Sequence, residues 1–252
     1  MVGRFSRLVV AMTIRMPKWF VGWVSRRYVA GTKLSDAVKV MQRLSKEGAC
    51  FTIDVLGEEI TSMEEATFFL EEYKRVISAI IDNELDSNLS IKPTAFGLLL
   101  DREKGMENIE TLVTMAQGYD MFVRLDMEDH RVTEDTIQVM LDMHQKGLTN
   151  VGVVLQGRLF RTLDDIERIK QILGPNADYR ICKGIYLEPD EISHTDRKPI
   201  IDATNKCIDA MLDAGAYVGV ASHDYPVVDH TIAALESRGM GPNKSDPRKN
   251  AG

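Results

Sequence analysis

Cysteine is scarce in this 252-residue chain. Cys50, Cys182 and Cys207 are odd in number, far apart and without a CxxC pair, so a disulfide framework is excluded and no zinc-site spacing is present. A reducing, cytoplasmic setting is therefore expected. Long apolar runs are also missing. The stretch from Met1 to Ala30 is interrupted by Arg4, Arg7, Arg15, Lys18, Arg26 and Arg27, and no uncharged part of it approaches the roughly 18 residues that a spanning helix needs. An amphipathic leading helix packed on the domain is the first expectation there. Reversible contact with a membrane surface is the second, because a basic segment holding Trp19 and Trp23 suits the interface. A basic excess is lacking too: 31 Lys and Arg stand against 38 Asp and Glu, a net charge of −7, which argues against a nucleic-acid partner. No GxxxxGK[ST] loop occurs, and the first strand-like run continues as Asp54-Val55-Leu56-Gly57-Glu58-Glu59 instead of GxGxxG. Phosphate-loop and dinucleotide-binding sheets are thereby disfavoured.

What is present is repetition. Apolar runs at Phe51 to Leu56, Leu89 to Pro93, Met121 to Met127, Val151 to Gln156, Tyr179 to Gly184 and Tyr217 to Ser222 each precede a helical pattern. Ser62-Met63-Glu64-Glu65 is a capping box opening the first of these helices. Phe69, Tyr73, Val76, Ile77 and Ile80 fall on one face of it. Later helices end near Gly118 and at Gly147, Gly174, Gly215 and Gly239, and at these last four a glycine just past the last apolar turn suits a left-handed cap. Strict strand and helix alternation implies parallel strands joined by right-handed crossovers, either an open doubly wound sheet or a closed barrel.

The apolar runs end in polar groups at Asp54, Lys92, Asp126, Gln156, Lys183 and His223, spaced by 38, 34, 30, 27 and 40 residues. Polar residues on so many successive strand ends favour a (β/α)8 TIM barrel, whose site collects side chains at one face. Only six βα units are found, so the barrel is expected to be incomplete, with two strand edges exposed. The expected organisation is an N-terminal helical segment over 1–45, a partial barrel over 46–239 and a disordered polar tail over 240–252. Strict alternation also sends Arg180 and Lys183 to opposite faces, so one of them must lie beyond its strand. Of the thirteen methionines, Met106, Met115, Met140, Met143 and Met211 lie in helical segments and are read as core filling, and no metal site is expected. His130, His144, His194 and His230 show no evident partner in the sequence.

Several segments, in order over residues 25 to 240, resemble the monofunctional bacterial-type proline dehydrogenase family. They are Arg27-Tyr28-Val29-Ala30-Gly31, Asp54-Val55-Leu56-Gly57-Glu58, Ser90-Ile91-Lys92-Pro93, Leu125-Asp126-Met127-Glu128, Val154-Leu155-Gln156, Arg180-Ile181-Cys182-Lys183-Gly184-Ile185-Tyr186 and Ala221-Ser222-His223-Asp224. The resemblance implies a TIM barrel that holds FAD and oxidises L-proline to 1-pyrroline-5-carboxylate, passing electrons to a quinone. It also implies that Lys92 meets the substrate carboxylate, that Asp126 and Arg180 are active-site residues, and that Met127, Gln156, Lys183, Gly184, Ile185, Ser222 and His223 line the FAD. Elementary chemistry permits these roles. A cation stabilises the electron-rich edge of a reduced flavin, an amide both donates and accepts, and glycine lets backbone approach a ring or phosphate. Asp54 and Glu58 are read equally as hydrogen-bonding braces of the first loop. Family members continue with a Phe-Gln-x-Leu-x-Gly strand, a Val-Pro-Tyr-Gly strand and a Tyr-x-x-Arg-Arg-x-x-Glu helix, none of which occurs here. The tail from Arg238 reads like a frame disruption or early stop. Two further readings follow: a non-catalytic barrel remnant, and an aldolase using Lys92 or Lys183 as an imine-forming lysine, which needs a lowered lysine pKa.

Overall fold

The computed structural model describes residues 28–58 and 60–240. The leading segment as far as Arg27 and the tail from residue 241, for which an amphipathic helix and a disordered tail were expected, lie outside the described residues. By internal contacts the chain divides into two units, one of residues 1–51 with 78–86 and one of residues 52–77 with 87–252. In the first, helix α1 (Leu34–Ser45) is tied by Gln42 Nε2, which donates to Asn83 Oδ1 at 2.8 Å. The same unit contains the bond from Phe51 N to Asp86 O at 2.9 Å.

The second unit is built on alternation. Strand β1 (Phe51–Ile53), which begins at the junction, is followed by α2 (Met63–Asp82), β2 (Ser87–Ile91), a 3-10 turn over Pro93–Phe96, α3 (Arg102–Gln117), β3 (Val123–Leu125) and α4 (His130–Gln145). Then come β4 (Val151–Gln156), α5 (Thr162–Leu173), β5 (Asp178–Cys182), α6 (Arg197–Asp213), β6 (Tyr217–Val220) and α7 (Tyr225–Ser237). The strands lie in sequence order, β1-β2-β3-β4-β5-β6, and the pairs from β2 to β6 are parallel. An α/β barrel-like fold results, as the alternation predicts.

Period-two alternation gives the sheet two different faces. Leu89, Ile91, Val123, Leu125, Val151, Val153, Tyr179 and Ile181 form one face and are fully buried. Each such aliphatic side chain contributes about 1.5–3 kcal/mol by leaving water. The other face is polar. Ser90, Arg124 and Gly152 are register partners, and Asp178 precedes Tyr179, the partner of Val153. Arg124 Nη1 lies 2.5 Å from Asp178 Oδ1, and its guanidinium sits 4.8 Å above the Phe122 ring. Gly152 makes the reach possible: a Cβ there would stand 2.9 Å from Arg124 Nη1 and 2.5 Å from Asp178 O. Burial pulls the Arg124 pKa below its ordinary value, and Asp178 opposes that pull.

The element ends follow local chemistry. Gly147, Gly215 and Gly239 take φ of 82°, 74° and 67°, as the left-handed caps require. Gly174 departs from the expectation: with φ 53° and ψ −130° it leaves the helical region and opens a 3-10 turn containing Pro175. Half of the capping box forms. Glu65 N donates to Ser62 Oγ at 3.4 Å, while the Glu65 carboxylate accepts from Thr61 Oγ1 at 2.7 Å.

Candidate active site

The carboxyl-terminal ends of β1, β2, β3 and β5 converge on one cluster of charge. Lys92, directly after β2, donates from Nζ to Asp54 Oδ2 at 2.6 Å. Asp54 Oδ1 also faces Tyr73 Oη at 3.0 Å, and Tyr73 donates to Ser90 O at 2.8 Å. Ser90 Oγ donates to Asp126 Oδ1 at 2.6 Å and accepts from Arg180 Nη1 at 3.0 Å. Arg180 and Asp126 are themselves 3.4 Å apart. Lys92, Asp126 and Arg180 are thus brought together as expected, and Asp54 joins them. Ser90 is the hub between the acidic and basic partners, a role that two-residue spacing from Lys92 places on the correct face.

Environment sets the protonation preferences. Burial raises the Asp126 pKa, the Ser90 bond and the Arg180 and Lys92 charges work against the rise, and Asp54 adds to it. Around Lys92, burial disfavours the ammonium, but the bond to Asp54 and the neighbouring carboxylates outweigh it, so its pKa is raised. That direction is opposite to what an imine-forming lysine needs, and it removes the aldolase reading for Lys92. Lys183 is engaged otherwise: its Nζ donates to Asp224 Oδ2 at 2.7 Å, whose second oxygen takes Arg197 Nη2 at 2.6 Å. The Lys183 bond leads the effects that hold the Asp224 carboxyl below its usual range.

The remaining expected residues separate into a buried wall and an exposed rim. Met127 and Gln156 are buried, and Gln156 Nε2 donates to Glu128 O at 2.7 Å. Gly184 has φ 102°, and a Cβ on it would meet Gln156 Oε1 and Arg158 Cδ, each at 2.6 Å. Ser222 Oγ accepts from Asp224 N at 3.1 Å. Ile185, at 87% exposed, and His223 face solvent. Arg180 lies inside β5 and Lys183 just beyond it, which resolves the alternation conflict.

A flavin-type group fits what is present. The buried Gln156 Oε1 has no hydrogen-bond partner, so one amide acceptor is uncommitted beside a glycine that keeps the backbone bare. Lys183, Arg197 and Arg158 supply cations around the same strand ends, suited to phosphate. Several members of the cluster escaped sequence reading. Tyr73 counts as an apolar helix position, yet its hydroxyl joins three groups, including Val55 N at 3.0 Å. Arg158 is hidden in a loop; its Nη1 donates to Tyr186 O at 2.8 Å. The histidines read as partnerless have partners. His130 Nδ1 lies 2.6 Å from the buried Glu188 carboxylate, His144 Nε2 2.9 Å from Val151 O and His230 Nε2 2.9 Å from Asp209, while His194 packs edge-on against Phe160 at 4.7 Å.

A parallel α/β barrel-type sheet with paired charges at its carboxyl-terminal strand ends defines a barrel enzyme class. Comparison narrows it: residues 37–246 match the proline dehydrogenase family model, and the chain belongs to that family. It is 36% identical to proline dehydrogenase 1 of Bacillus subtilis subsp. natto over 207 residues, 82% of this chain and 67% of that relative. To the proline dehydrogenase of Deinococcus radiodurans it is 30% identical over 222 residues, 86% of this chain and 71% of that one. The fold is shared with proline utilization A from Bdellovibrio bacteriovorus inactivated by N-propargylglycine, at TM-score 0.79 and 18% identity. That match covers 94% of this chain and 29% of the longer protein.

Proposed function

We propose that this chain oxidises L-proline to 1-pyrroline-5-carboxylate with FAD as cofactor and a quinone as the final acceptor. Family membership supports the reaction. The observation that carries it to these residues is the neutral cluster of two cations and two carboxylates formed by Lys92, Asp54, Arg180 and Asp126. Bound FAD would supply the two-electron acceptor for the hydride leaving the ring carbon next to the proline nitrogen.

The chain's own residues do the rest. Lys92 offers an ammonium to the substrate carboxylate, and its raised pKa keeps it charged across the physiological range. Asp126, held by Ser90, and Arg180 border the reacting face. Met127, Gln156, Gly184 and Ile185 would lie along the ring, with Lys183, Ser222 and His223 towards the phosphate side. The buried position of Met127 and Gln156 excludes water from that edge, which strengthens every charge interaction there. No helix among the described residues is long and apolar enough to cross a membrane. A cytoplasmic enzyme that meets its quinone by peripheral contact fits this reading.

The test is direct. Purified protein should be yellow and should bleach on anaerobic addition of L-proline, with the colour returning when a soluble quinone analogue is added. A colourless protein that gains no flavin on incubation with FAD, or a yellow one indifferent to proline, would favour a barrel portion that does not turn over.

A further inference from the structure

Glu128 belongs to neither the charge cluster nor the expected cofactor contacts, yet it touches the ends of three strands. It follows Asp126 and Met127 directly after β3, and it is 3% exposed. Its Oε2 accepts from Thr94 N at 2.9 Å and its Oε1 accepts from Thr94 Oγ1 at 2.5 Å. Thr94 is in the buried 3-10 turn Pro93–Phe96, whose preceding residue is Lys92. The Glu128 carbonyl oxygen, meanwhile, takes the amide of Gln156 at 2.7 Å. One residue therefore fastens the turn that carries Lys92, the strand end that carries Asp126 and the side chain of Gln156. Burial raises its pKa in spite of the two Thr94 bonds. Burying a carboxylate costs stability unless hydrogen bonds compensate it, and here the compensation comes from Thr94 alone among the bonds to its oxygens.

We propose that Glu128 is a positioning residue: through Thr94 and Gln156 it sets the distance between Lys92, where the substrate carboxylate is read to bind, and the buried wall against which the oxidised ring is read to lie. The inference rests on the proline-oxidising reading given above. Its physical basis is rigidity. Pro93 fixes φ at the first residue of the turn, Gly97 closes the turn with φ 97°, and the two hydrogen bonds from Thr94 to Glu128 leave the Lys92 backbone little freedom. Displacement of a substrate-holding group by an ångström is enough to cost about 100-fold in rate.

Three variants separate placement from charge and from mere stability. Glu128→Ala removes the carboxylate bonds to Thr94 and keeps the carbonyl bond to Gln156, and kcat/KM for L-proline should fall by about 10- to 100-fold, chiefly through KM. Glu128→Gln keeps the shape and can still accept from Thr94 N while donating to Thr94 Oγ1, so it should rescue kcat/KM to within about threefold of wild type, a range smaller than the loss of one hydrogen bond. Thr94→Val deletes one of the two bonds without disturbing Glu128, and it should raise KM about 3- to 10-fold, the size of one lost hydrogen bond. Combined with Glu128→Ala, it should add nothing. Each variant is also read by flavin absorbance and melting temperature, so that a purely structural loss appears as a lower melting point with unaltered KM. The proposal is overturned if Glu128→Ala keeps the wild-type KM, or if Glu128→Gln is as impaired as Glu128→Ala. Should Glu128→Ala fail to fold, an unchanged KM in Thr94→Val overturns it equally. Failure of the underlying reading is distinct: the wild-type protein itself would then not be reduced by L-proline, and the proposed role falls with it.

Discussion

Asp178→Ala should be among the most destabilising single changes in the barrel unit. The Arg124 side chain is 7% exposed and that of Asp178 6%, with 2.5 Å between them. Arg124 crosses from β3 over Gly152 to reach its partner on β5, so the loss of Asp178 leaves a guanidinium with no route to water. Stranding one member of a buried ion pair costs about 3–5 kcal/mol. For a chain of this size each kcal/mol moves the melting temperature by about 2–4 °C, so a fall of roughly 6–20 °C is expected. Urea unfolding followed by far-ultraviolet circular dichroism gives the free energy directly, with the slope showing whether the same surface unfolds. The double variant Arg124→Met with Asp178→Leu replaces the pair by apolar side chains and should recover most of the loss, because the desolvation penalty then disappears along with the attraction. A fall below about 1 kcal/mol in Asp178→Ala would refute the reasoning. So would a double variant as unstable as the single one.

Three further outcomes are expected. Lys92→Met keeps the apolar stem and removes the ammonium, so KM for L-proline should rise by about 10- to 150-fold with little change in kcat, the equivalent of one charged hydrogen bond of about 1.5–3 kcal/mol; an unaltered KM would exclude Lys92 from carboxylate recognition. Gly184→Ala should lose flavin, because its Cβ would sit 2.6 Å from Gln156 Oε1 at a φ of 102°. Gly147→Ala is the control: at φ 82° with nothing within 4 Å it carries only the backbone strain of about 1–2 kcal/mol, and equal flavin content in the two variants would contradict the cradle at Gly184. The last concerns pH. Burial holds the Glu128 pKa above the ordinary glutamate value of 4.5, so between 4.5 and the raised value native Glu128 retains a proton that the unfolded chain has released. The native state binds more protons in that window, and its contribution to stability falls as pH rises through it. Glu128→Gln should flatten that part of the urea-derived stability profile, and an identical slope in the two proteins would show that Glu128 titrates as it does in the unfolded chain.

Much of the framework was legible because helix ends and strand ends have chemistry of their own. Glycine after an apolar helical turn marked Gly147, Gly215 and Gly239, and the polar residue closing each apolar run marked Lys92, Asp126 and Gln156. What escaped is of a different kind. Tyr73 satisfies the helical apolar stripe and is buried as the stripe demands, but the pattern cannot tell a buried ring from a buried ring with a working hydroxyl. Glu128 and Thr94 are 34 residues apart and meet only because β2 and β3 are neighbours. The histidine partners are equally remote or lie on backbone, as with His130 and Glu188, 58 residues apart. Periodicity records which face a residue occupies. It carries no record of which distant side chain shares that face.

The polar face of the sheet holds two rows of charge with opposite fates, and the contrast bears on how a zwitterion could be received. In the row of Arg124 and Asp178 the charges are closed to water. Two residues further along each strand, Arg180 and Asp126 are 25% and 23% exposed, and Lys92 and Asp54 are 18% and 27%. A buried pair cannot exchange partners cheaply, because each ion would pass through an unpaired state in low dielectric. A pair about one-quarter exposed can. L-Proline brings one carboxylate and one ammonium, so it can take Lys92 from Asp54, or Asp126 from Arg180, without altering the net charge of the cluster. The lower row contributes differently: its positive end is close enough to Arg180 for the two guanidinium groups to repel, an effect that helps pull the Arg124 pKa down. The closed row is thus a fixed electrostatic floor, and the row above it keeps charges that a substrate of no net charge could rearrange.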